Sequence, residues 1–122
     1  GLAHAWNKDD GVEPLGKWDR FLATEFSHFL TRMRNTSAAP ESSDSLLDYT
    51  TFLYGSSNST THTNRNYPLV LAGGKKLGFK HGQYLKFTRD TPFSNVFSTQ
   101  LQQMGLKNTR FGDSTGIVGE LI

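Results

Sequence analysis

The stretch "SLLDYTTFLYG", Ser45–Gly55, decides the fold. From Thr50 to Tyr54 it is β-branched, aromatic or aliphatic without a charge, the composition of a buried strand. Leu46 to Tyr49 just ahead read as a short helical turn or an approach to that strand. A second run follows at "YPLVLAGG" (67–74), where Leu69, Val70 and Leu71 form a strand ended by Gly73 and Gly74. "GQYLKFT" (82–88) supplies a third expected strand, with Tyr84, Leu85 and Phe87 as its packing residues. Strands with continuous apolar runs are usually covered on both faces, the arrangement of α/β layers.

On either side of these strands the period changes to that of helices. Leu15, Trp18, Phe21, Leu22, Phe26, Phe29, Leu30 and Met33 are spaced by threes and fours, which predicts an amphipathic helix over 14–34. Pro14 suits its first turn, and Arg32 and Arg34 suit its end. Thr91 as N-cap and Pro92 in the first turn open a second expected helix over 92–104. Its apolar face would be Phe93, Val96, Phe97, Leu101 and Met104, and Gly105 would end it in a left-handed conformation. "NTSAAPESSD" (35–44) reads as an exposed loop, and 105–122 as an irregular tail. The fold class is therefore α/β, with an incomplete small sheet of about three strands in the region 46–88. Residues 1–122 form one domain or a domain fragment, expected to belong to a larger layered α/β fold. The opening "GLAHAWNKDD" has the look of a cut end.

Composition narrows the function classes. The formal charge of +2 is close to balance and basic residues are not clustered, so nucleic acid is not an expected partner. The absence of cysteine removes disulfides, thiolate metal sites and a cysteine nucleophile. No apolar run reaches the roughly 18–20 residues that span a membrane. Fifteen aromatics (nine Phe, four Tyr, two Trp) compensate for a hydrophobic content of 35% with large individual areas to bury.

Two stretches raise chemical questions. "FGDSTG" (111–116) holds a Gly-Asp-Ser sequence that some hydrolases use to carry a nucleophile. A serine nucleophile needs a histidine base within reach, and no histidine follows Ser114; one would have to be recruited backwards from His62 or His81. Gly112 and Gly116 permit positive φ, and Asp113 and Ser114 favour side-chain-to-backbone turn bonds, so the structural-turn reading outweighs the nucleophile. The polar loop "SSNSTTHTNRN" (56–66) joins one apolar strand to the next, where open α/β sheets collect ligands. Its His62, Asn64 and Arg65 have the chemistry to bind an anion or a metal, although one imidazole is far from a complete metal shell. "LAGGKKLG" (71–78) lacks the Gly-Lys-Ser/Thr ending of a phosphate loop and reads as a glycine turn. Asn35-Thr36-Ser37 and Asn58-Ser59-Thr60 match the short glycosylation triplet, which is common by chance.

Taken in order, "AHAWNKDD", "KWDRFLATEFSHFLTRM", "LLDYTTFLYGSS", His62, "NYPLVLAGG", "GQYLKF", "TPFSNVFSTQLQQMG" and "FGDSTG" resemble the C-terminal part of a bacterial family, domain of unknown function 1552. The resemblance covers about His4 to Gly116. It implies an exported, sulfatase-like or alkaline-phosphatase-like α/β protein of several hundred residues, of which this chain matches the last third. By that analogy His4 and His62 face a divalent metal such as zinc. Where the family carries an acidic residue this chain has Asn58, and a neutral amide is a poorer ligand for such a cation. Asp9 or Asp10 would have to replace that carboxylate. No metal is therefore expected to be held by the chain alone. The leading expectation is an accessory or structural subunit, or C-terminal fragment, of an exported protein, acting by association with another chain or with an upstream part of its own. The alternatives are the C-terminal part of a metal-dependent phosphate- or sulfate-ester hydrolase, and a surface- or carbohydrate-binding module.

Overall fold

The computed structural model describes residues 11–59, 63–66, 68–107 and 110–122. Helix α1, Val12–Asn35, is built on the apolar stripe and has Glu13 in its first turn and Arg32 and Arg34 in its last, each sign opposing the local end of the helix dipole. It stops where Thr36 turns to extended geometry (φ −101°, ψ 122°). The Thr36 hydroxyl donates to the Arg32 carbonyl at 2.8 Å.

Strands β1 (Thr51–Gly55) and β2 (Leu69–Gly73) pair antiparallel, from Thr51 opposite Gly73 to Gly55 opposite Leu69. Side chains alternate across a strand, so Phe52 and Tyr54 share one face and Thr51 and Leu53 the other. α1 covers the first face: Phe26 stacks on Tyr54 with centroids 4.7 Å apart, and Phe29 meets Phe52 edge-on at 4.9 Å. The second helix, α2 (Ser94–Gln103), reaches the opposite face, where Gln100 Nε2 donates to Thr51 Oγ1 at 3.0 Å. The result is a small mixed α/β arrangement, with α1 over one face of a two-stranded sheet and α2 tied to Thr51 on the other.

The expected third strand is corrected. Residues 82–88 pair with no strand among the described residues, and the sheet has two strands. Lys80 and Gln83, at and just before its start, instead reach the C-terminal residues through isolated contacts with no repeating ladder. Lys80 N donates to Leu121 O at 2.8 Å and Lys80 Nζ to Ile122 O at 2.6 Å, while Gln83 Nε2 donates to Glu120 O at 2.7 Å. Gly119–Leu121 is a single 3₁₀ turn, which presents no extended edge to pair with, and Tyr84 is left 87% exposed.

α2 also departs from its expected start. The Thr91 hydroxyl donates backwards to Arg89 O and caps nothing; the entry is tightened instead by Asn95 N→Pro92 O and Val96 N→Phe93 O bonds. At the other end Gly105 has φ +81°, with Gly105 N→Gln102 O and Leu106 N→Leu101 O bonds closing a Schellman motif. The most deeply buried side is the polar one: Ser94, Asn95, Ser98 and Thr99 are buried, the expected apolar residues Phe93, Val96, Phe97 and Leu101 are half-buried, and Met104 is exposed. Those four polar residues lie at spacings of one and four, one side of a helix, and hydrogen-bond geometry places that side inward. Among the described residues the buried hydrophobic side chains are Phe79 and Val118.

Candidate functional site

The polar side of α2 meets the segment 111–118 through reciprocal bonds. Ser94 Oγ donates to Asp113 Oδ1 at 2.6 Å. Asn95 acts in both directions, donating from Nδ2 to Thr115 Oγ1 at 3.3 Å and accepting the Thr115 N–H on Oδ1 at 2.9 Å. Thr99 Oγ1 donates to Asn95 O at 2.7 Å and accepts the Val118 N–H at 2.8 Å. Buried polar groups are stable only when paired, and this set is paired almost throughout. A depression of about 550 Å³ opens at this junction, lined by Ser98, Arg110, Ser114, Thr115, Gly116 and Ile117.

Ser114 is buried, and its role in the turn is geometric. Its Oγ accepts the Phe111 N–H at 3.0 Å while its own N–H donates to Phe111 O at 2.9 Å. Gly112 has φ +54°, and Gly116 is not in the left-handed region. The described histidines are engaged elsewhere: His28 lies 3.5 Å from Glu25 on α1, and His81 Nε2 donates to Gly73 O at 2.7 Å.

The loop 56–66 gives a different picture from that anticipated. β1 and β2 are antiparallel neighbours, so the loop is the tip of a long hairpin rather than a crossover at the carboxyl ends of parallel strands, and the argument from open α/β sheets does not reach it. Asn58, Asn64 and Arg65 are exposed. The Asn58 N–H donates to Ser56 Oγ at 3.2 Å, Ser59 N to Thr63 O at 2.9 Å, and Arg65 lies 3.7 Å from Asp90 with both side chains in solvent. His4, Asp9, Asp10 and His62 lie outside the described residues. Among those described, no three His, Asp or Glu side chains are grouped to hold a metal ion, and no helix is long and apolar enough to cross a membrane.

A second shallow depression, about 380 Å³, lies at the Gly73 end of the hairpin between Asp48, Lys75 and His81. Beside it, Tyr49 OH donates to Asp44 Oδ2 at 2.8 Å and Lys76 Nζ sits 3.2 Å from Asp44 Oδ1. The tyrosine hydrogen bond and then the lysine hold the Asp44 carboxyl below the usual carboxylate range. Asp48 is lowered too, because its Oδ2 accepts both the N–H and the hydroxyl of Ser45, at 2.8 and 2.7 Å. Ser98, Arg110 and Thr115 were not singled out by sequence. The available signal was the Ser-Asn-x-x-Ser-Thr spacing on α2, which puts four small polar residues on one helix side.

Comparison with protein-family models, curated proteins and solved structures finds no match for this chain.

Proposed function

We propose that this chain works by association, docking the N-terminal half of α1 and the adjoining sheet face onto another protein chain as an accessory or structural unit. The observation that carries the reading is the overhang of α1. Phe29 sits over Phe52 and Phe26 over Tyr54, so the helix runs antiparallel to β1 and its earlier residues extend past the Gly55 end of the sheet. Trp18 lies eight residues before Phe26, about 12 Å along the axis at 1.5 Å per residue. Trp18 and Phe21 stack at 5.6 Å and remain about half exposed, Leu22 is exposed beside them, and Val70 is exposed on the same sheet face as Tyr54. An exposed stacked aromatic pair with further exposed apolar side chains near it is the kind of surface by which soluble proteins mark an interaction site. The family resemblance supports an exported setting for the complex.

Without a partner, the chain should bind a hydrophobic fluorescent dye or self-associate in sedimentation at rising concentration. The double variant Trp18→Ser, Phe21→Ser should lose most of that behaviour. Its melting midpoint should change by only a few degrees, since exposed positions contribute roughly 0.5 kcal/mol or less. A concentration-independent monomer that binds no dye would overturn the proposal.

A further inference from the structure

We propose that the depression between α2 and the C-terminal segment is a binding subsite for a phosphate group. The argument begins at Ser98, which is 1% exposed and whose hydroxyl has no hydrogen-bond partner among the described residues. Serines and threonines within helices commonly satisfy themselves by donating to the carbonyl four residues earlier. Thr24, Thr31 and Thr99 do so in this chain. Ser98 does not, although Ser94 stands four residues before it. A buried hydroxyl left without a partner is costly and uncommon, and this one lines a depression open to solvent.

The other lining groups share one polarity. Thr115 Oγ1 accepts from Asn95, and Ser114 Oγ accepts from the Phe111 N–H, and neither hydroxyl donates to any of the described residues. Arg110 makes no ion pair with the described residues and brings a planar set of N–H donors with a fixed positive charge. No carboxylate of the described residues lines the depression. The neighbouring acid, Asp113, is held by the Ser94 hydroxyl. Three hydroxyl donors and a guanidinium select a ligand that only accepts and carries negative charge. A phosphate group, with three terminal oxygens, matches that donor number better than a two-oxygen carboxylate. The volume of about 550 Å³ exceeds inorganic phosphate and leaves room along Ile117 for the organic part of a phosphate monoester. This site is formed by other residues than the α1 overhang, and each proposal can fail without the other.

The test is thermal unfolding of the 122-residue chain titrated with inorganic phosphate, phenyl phosphate, acetate or sodium chloride at matched ionic strength, with amide chemical shifts of Ser98, Thr115 and Gly116 followed in parallel. The expected result is a saturable rise in midpoint with either phosphate, absent with acetate and chloride, and shift changes centred on those three amides. Phenyl phosphate binding more tightly than inorganic phosphate would identify a monoester as the source; equal affinity would identify the free ion. Ser98→Ala breaks no hydrogen bond of the unliganded fold, so it should keep or raise the unliganded midpoint while weakening phosphate about tenfold, and Arg110→Ala should weaken it at least as much. The proposal is overturned if acetate or chloride reproduces the phosphate response, or if both variants retain the wild-type response.

Discussion

Gly112 and Ser114 hold one turn by different means, and substituting each separates backbone from side chain. Gly112 has φ +54°, and a Cβ there would make only an ordinary 3.9 Å contact with Ser94 Cβ, so any penalty is conformational rather than steric. Gly112→Val should cost about 1–2 kcal/mol in denaturant unfolding, the usual penalty for a side chain in left-handed backbone. Ser114→Ala removes the acceptor of the Phe111 N–H and should cost about 1 kcal/mol, while leaving any esterase activity unchanged. A neutral Gly112→Val, or labelling of Ser114 by a fluorophosphonate, would contradict this account. The turn-forming composition of "FGDSTG" was readable in the sequence because its residues act locally. The bond from Ser94 to Asp113, nineteen positions apart, was not, because nothing local selects a partner at that distance.

At the level of elements, local signals and long-range ones again part. The stripe from Leu15 to Met33 was enough to find α1, and the uncharged runs were enough to find β1 and β2, because periodicity and composition are properties of a single segment. Tyr84, Leu85 and Phe87 carried the same signal, yet a strand also needs an extended neighbour, and the 3₁₀ turn at Gly119–Leu121 does not offer one. The connection between α1 and β1 has its own electrostatic lock. Asp44 and Asp48 both have carboxyls lowered in the folded chain, through Tyr49 and Lys76 for the first and Ser45 for the second. A lowered folded value means that the ionised form stabilises the fold. That contribution is complete above the unfolded value of about 4 and is lost as pH falls through the lower folded values. Unfolding midpoints measured from pH 6 down to pH 2 should therefore fall below about pH 4, and Asp44→Asn with Asp48→Asn should flatten that fall. An acid limb unchanged in the double variant would locate the titrating groups elsewhere.

Across the whole molecule, the inward-facing side of α2 is the feature that sequence reading missed most completely. Apolar spacing pointed to Phe93, Val96, Phe97, Leu101 and Met104, but Ser94, Asn95, Ser98 and Thr99 are the buried residues. Hydropathy cannot report that the polar side is the more deeply buried one, because those four become tolerable inside only when Asp113, Thr115 and Val118 arrive to pair with three of them. Among the candidate metal residues, His4 came from the resemblance alone and His62 from the polar loop as well, while the residues around Ser98 and Arg110 carried only the Ser-Asn-x-x-Ser-Thr spacing on α2. An interior with so large a polar share has a thermodynamic consequence. Unfolding exposes apolar surface, which raises heat capacity, and polar surface, which lowers it. This chain should show a heat-capacity increment on unfolding below the common range of about 12–15 cal/mol/K per residue. Scanning calorimetry across several pH values measures it directly, and an increment within or above that range would contradict the prediction. A small increment makes the curve of stability against temperature shallow, so cooling would cost this fold less than it costs one held together by hydrocarbon.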